Sequence, residues 1–140
     1  MSALIRGLVT MQLSRDHEQL LVRLIALHSI MVGCMFLFAP AWTMKFAGWQ
    51  SISPVFFAYQ AGIFHVVLAV AYLLEYQRYR GVSILVTAKV IAFIFLITAT
   101  IIDPIPWAVW TSGIIDGLMA LAVWWVHRQV TRSEGERIRS

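Results

Sequence analysis

The sequence predicts an all-α integral membrane protein: a bundle of four antiparallel helices with both chain ends in the cytoplasm. Apolar residues make up 60% of the 140 residues and charged residues only 13%. A soluble domain of this size cannot bury such an excess, because its surface is large relative to its volume. The apolar residues form four long runs, and the basic residues gather beside alternate ends of those runs.

Each apolar run is long enough to cross a bilayer as a helix, which takes about 20 residues. None of them alternates apolar and polar residues as the strands of a membrane β-barrel do. Prolines and glycines separate the runs, so short loops join successive helices. The predicted transmembrane domain is 20–127, with spans at 20–39, 55–74, 82–102 and 107–126. Residues 1–19 are expected to form an interfacial segment and residues 128–140 a charged cytoplasmic tail, with Ser14 as N-cap of the first helix.

The basic residues set the expected orientation. Arginines lie at the start of the first span, in the loop between the second and third spans, and after the fourth span. The two remaining loops hold only one basic residue, Lys45. Cytoplasmic loops of membrane proteins carry the excess of lysine and arginine, so both termini are expected inside, in a bacterial cytoplasmic membrane. No single basic patch is present, and no nucleic-acid partner is expected. The single cysteine, Cys34, excludes an internal disulfide.

Apart from Arg23 near the start of the first span, whose side chain is expected to reach the lipid headgroups, each predicted span contains one of four ionisable residues: His28, His65, Lys89 and Asp116. Such a residue costs about 2.5–3.5 kcal/mol at the centre of a span and therefore tends to face the bundle interior. At about 1.5 Å of rise per residue, all four lie about 10–15 Å from the cytoplasmic edge. The second span also places small residues on the face of His65, a pattern typical of close helix packing: Ala58, Ala61, Gly62, Ala69 and, at the end of that face, Tyr72. On the fourth span, Ser112, Gly113, Ala120 and His127 share the face of Asp116.

Several roles are open to this polar cluster. Lys89 and Asp116 are expected to pair, either as a structural lock or as the floor of a core pocket for a quinone, a lipid-like molecule or a proton. His28 and His65 lie on neighbouring helices at similar depth, which also fits a b-haem electron carrier with two histidine ligands. A third alternative is an intramembrane lipid or sterol isomerase that uses His65 and Asp116 as base and acid. No catalytic motif is present, and this favours a non-enzymatic binding protein or subunit.

Two segments resemble a known family. Leu21-Val22-Arg23-Leu24 opens the first span, with Gly33 within it, and Gly62-Ile63-Phe64-His65-Val66-Val67-Leu68-Ala69 lies in the second. This order of features is similar to that of the DoxX-like group of small four-helix membrane proteins. The resemblance implies a four-helix bundle and, as in some members, an accessory subunit of a quinone-linked oxidoreductase. The expected partners are the lipid bilayer and either a larger membrane complex or further copies of the chain.

Overall fold

The computed structural model describes residues 14–51 and 53–139, and these are all-α. Their five helices are α1 (Arg15–Phe38), α2 (Pro40–Phe46), α3 (Phe56–Tyr79), α4 (Ser83–Ile102) and α5 (Trp107–Arg139). Four of them, all except α2, are long and apolar enough to cross a membrane. The predicted all-α class and the four long apolar helices are therefore confirmed. Most of the predicted interfacial segment, residues 1–13, lies outside the described residues.

Three helices, α1, α3 and α5, are longer than their predicted apolar spans. Helix α1 begins at Arg15, directly after its predicted N-cap Ser14, whose backbone N–H donates to Nδ1 of His17 at 3.3 Å. Helix α5 continues through the residues predicted as a charged tail, as far as Arg139. Hydropathy marks only the part of a helix that lies in lipid, whereas a helix continues until proline or a capping residue ends it.

Local capping contacts stabilise the short connections between the helices. Pro40 is the first residue of α2, a position where its missing N–H costs no hydrogen bond. Between α3 and α4, Arg80 adopts a left-handed conformation with φ of 53°. The Glu75 carboxylate then accepts hydrogen bonds from the backbone N–H groups of Ser83 at 3.0 Å and Ile84 at 2.9 Å. These bonds satisfy donors that the first turn of α4 leaves unpaired.

The helices pack chiefly as two pairs, α1 with α3 and α4 with α5. Glycines permit the close approach in both pairs. A Cβ atom on Gly33 would lie 2.8 Å from the carbonyl oxygen of Gly62, so the α1 and α3 backbones touch there. In the second pair, Gly117 lies against the ring of Phe93, where a Cβ atom on the glycine would be 2.9 Å from Cδ2 of that ring. Van der Waals packing of this kind drives association of helices in lipid.

The two pairs meet most closely at what we call the charged end, where α1 begins and α3 and α5 approach their C-termini. Seven buried side chains contributed by all four long helices form the apolar core nearest this end: Val22, Ile25, Tyr72, Tyr76, Val82, Leu85 and Val123. At the opposite end, the aromatic end, the ring of Phe46 lies edge-on to Trp107 at 5.9 Å. The four residues predicted to form the polar cluster lie between these two ends.

Candidate functional site

The centre of the candidate site is an ion pair between α4 and α5. Nζ of Lys89 lies 2.5 Å from Oδ1 of Asp116, and the two side chains are only 5% and 13% exposed. The pair predicted from the sequence is therefore present, and both of its side chains are largely shielded from the surroundings of the bundle. A buried charge is tolerated when an opposite charge neutralises it at hydrogen-bond distance.

The two histidines lie beside this pair but differ in burial. His65 on α3 is half-buried, and its Cβ atom lies 3.3 Å from the position that a Cβ on Gly33 would occupy. His28 on α1 is exposed rather than directed into the core. Both imidazoles interact electrostatically with Lys89 and Asp116, and His65 also interacts with His28. The structure thus brings the four predicted residues into one neighbourhood, with His28 at its edge.

Tyr72 is a fifth member of this neighbourhood. It is 2% exposed and interacts electrostatically with Asp116. The sequence placed Tyr72 on the His65 face of its helix, two turns further along, but an aromatic residue there is typical of an ordinary core. Its proximity to Asp116 depends on how α3 packs against the other pair of helices.

His28, His65 and Tyr72 differ in burial but share the lack of a hydrogen-bond partner among the described residues. Within residues 14–51 and 53–136, whose side chains the structure describes, neither imidazole forms a hydrogen bond, nor does the Tyr72 hydroxyl. No fully buried side-chain nitrogen or oxygen in that part of the chain lacks a partner. Of these groups, the His65 ring is half-buried, whereas Tyr72 is among the fully buried side chains. Together with exposed His28, they offer hydrogen-bond donors and acceptors next to a neutralised charge pair.

A second charged network, not predicted from the sequence, joins α1 to α5 at the charged end. Glu18 is fully buried, and its carboxylate lies 2.9 Å from Nη1 of Arg15 and 2.5 Å from Nδ1 of His127. Arg15 also donates to both carboxylate oxygens of Glu134, from Nε at 2.7 Å and from Nη2 at 2.5 Å. The Tyr76 hydroxyl donates to the Arg15 carbonyl oxygen at 3.4 Å and so connects α3. The one available signal was position: Glu18 shares a helix face with Val22 and Ile25, and His127 shares one with Asp116.

The close packing of α1 on α3 bears on the haem alternative. Haem ligated by His28 and His65 would have to lie between their helices, yet the α1 and α3 backbones touch at Gly33 and Gly62, beside His65. This contact leaves no slot for a porphyrin between α1 and α3 at that level. Among the described residues, no group of three or more His, Cys, Asp or Glu side chains is placed to hold a metal ion. The geometry does not favour haem.

Open cavities lie on the surface of the described helices, and two of them differ in the helices that line them. One of about 510 Å³ lies along α4, between Ile91 and Asp103. The other, of about 330 Å³, lies between α1 and α5 and is lined by apolar residues of both helices. Two residues that line the second cavity, Ile25 and Ile115, are close in sequence to His28 and Asp116.

Comparison with known proteins gives no relative: no protein-family model, no curated protein and no solved structure matches the chain. The resemblance to the DoxX-like group therefore stays a prediction from the sequence.

Proposed function

We propose that this protein binds a hydrophobic molecule with an oxygen-bearing polar head, of quinone or lipid type, at the level of Lys89 and Asp116. The observation that carries the proposal is a set of side chains around that buried pair that form no hydrogen bond within the described residues: exposed His28, half-buried His65 and buried Tyr72. Unpaired polar groups are costly in an apolar environment, so a ligand head that pairs with them is bound in preference to hydrocarbon.

The chemistry of the site favours a head that accepts hydrogen bonds. A neutral imidazole offers one N–H donor and one acceptor, and a phenol offers its O–H. Carbonyl oxygens of a quinone match these donors. Asp116 is paired with Lys89. This pairing disfavours the isomerase alternative, in which Asp116 acts as a free acid opposite His65. We therefore place the protein among non-enzymatic binding proteins or accessory subunits of membrane redox complexes.

The proposed setting is a bacterial cytoplasmic membrane, with antiparallel helices and both termini on the cytoplasmic side. The contacts of Arg15 with Glu134 and of Gly33 with Gly62 support the helix directions, since they join early residues of one helix to late residues of another. The arginines at the charged end support the orientation, because positive charge is retained in the cytoplasm. Homo-oligomers or a larger complex remain the proposed partners.

The test is equilibrium binding of a tailless benzoquinone to the purified protein in mild detergent. Replacing His65 by Leu should weaken binding about tenfold, because about 1–1.5 kcal/mol is lost with one hydrogen bond. Gln60→Leu is the matched control: Gln60 lies on the same helix but about 140° around it from His65, so affinity should stay unchanged. Equal affinities of the parent and His65→Leu would overturn the site.

Mass spectrometry of the molecules that co-purify separates the two ligand classes. A quinone in the extract supports the redox setting, and a phospholipid or fatty acyl compound supports a lipid-binding role. An extract that contains neither, from protein that also fails to bind the benzoquinone, would contradict the proposal.

A further inference from the structure

The cavity between α1 and α5 is an apolar groove open to the surroundings of the bundle. It has a volume of about 330 Å³, at the lower end of the range of about 300–1,000 Å³ for small-molecule sites. Its walls are aliphatic side chains on facing helices, including Leu21, Leu24 and Ile25 of α1 and Ile115, Leu118 and Ala122 of α5. Such walls suit a hydrocarbon chain and offer nothing to a polar head.

The groove adjoins the polar site at His28. On α1, His28 follows Leu24 and Ile25 by one helical turn on the same side of the helix, and it is exposed. On α5, Ile115 lies at the level of Asp116, whose side chain points about 100° around the helix from the groove. The groove therefore runs from the level of Asp116 towards the charged end, where Glu18 and His127 join the two helices and limit its length.

We infer that this groove is the binding site for the hydrocarbon tail of the molecule whose head lies at His28, His65 and Tyr72. The inference rests on the proposed head-binding function and adds the ligand's form: a polar head with one flexible acyl or isoprenoid chain. Head and tail sites adjoin, so a ligand reaches both by moving sideways from the lipid between α1 and α5.

The larger cavity on α4 does not meet the same requirement. Its lining residues, such as Ile91, Ile94 and Thr98, lie on the side of α4 that faces away from Lys89. A lipid chain resting there has no polar group of the site beside it. This cavity therefore supplies the control for the groove.

The experiment compares a tailless benzoquinone with the same benzoquinone carrying a decyl chain. The parent protein should bind the decyl compound about tenfold more tightly, a difference of about 1.4 kcal/mol from packing in the groove. Ala122→Trp fills the groove and should abolish this advantage while leaving binding of the tailless compound unchanged. Thr98→Trp places the same bulk in the α4 cavity and should keep the parent's ratio.

The outcomes separate this inference from the proposed function. If the tailless compound binds but Ala122→Trp keeps the parent's ratio, the tail lies elsewhere and the groove holds adventitious lipid only. If neither compound binds the parent, the head site itself is wrong. Leu118→Trp repeats the test at an exposed groove position should Ala122→Trp not fold.

Discussion

Lys89 and Asp116 determine the character of the site at the scale of single residues. Each would be costly alone in an apolar bundle, and together they leave a nearly neutral centre beside exposed His28, half-buried His65 and buried Tyr72. The pair was predictable, because an isolated lysine and an isolated aspartate within membrane spans have few other ways to be satisfied.

The first prediction compares the loss of one charge of the ion pair with the loss of both. Asp116→Ala leaves Lys89 buried without a partner and should lower the free energy of unfolding by about 3–5 kcal/mol. The double variant Lys89→Met with Asp116→Leu removes both charges and should recover most of that loss. Denaturant unfolding in one detergent measures both. A single variant as stable as the parent would show that the pair is not buried as described.

The network at Glu18 was not predictable in the same way. Arg15 and Glu18 lie at the start of α1 and His127 lies just beyond the predicted apolar span, where water and lipid head groups also satisfy a charge. The sequence therefore does not require them to pair. Burial of the Glu18 carboxylate follows from the lengths of α1 and α5, which extend beyond the apolar runs.

At the scale of helices, the pairing of α1 with α3 depends on backbone contact at Gly33 and Gly62. The sequence indicated this face through its small residues, but it could not show which helix packs against it. The number and type of the helices were predictable because apolar length in a bilayer has few other solutions. Their true ends depend on caps and charges outside the apolar runs.

The second prediction tests this contact. Gly33→Ala would place its Cβ 2.8 Å from the Gly62 carbonyl oxygen and should cost about 1–3 kcal/mol, because the two helices must move apart. Gly135→Ala is the control: no atom lies within 4 Å of its Cβ position, and alanine favours the helix by up to about 1 kcal/mol. In thermal unfolding, the midpoint temperature should fall for Gly33→Ala and rise for Gly135→Ala. A Gly33→Ala protein that melts like the parent would mean that α1 and α3 do not touch there.

At the scale of the whole molecule, two helix pairs are joined at the charged end by an apolar core and the Glu18 network, and at the aromatic end by the contact of Phe46 with Trp107. The polar site lies between these joints, and residues from both pairs contribute to it. His28 and His65 belong to one pair of helices, and Lys89 and Asp116 belong to the other. We propose that a ligand's polar head is bound between the pairs.

The most direct measurement is photo-crosslinking with an azido-benzoquinone, followed by mass spectrometry of the labelled peptides. The account predicts label in peptides that contain His28, His65 or Tyr72, and loss of that label when unlabelled benzoquinone is present in excess. Label confined to the outer face of α4, around Ile91 and Ile94, or label that excess benzoquinone does not displace, would contradict it.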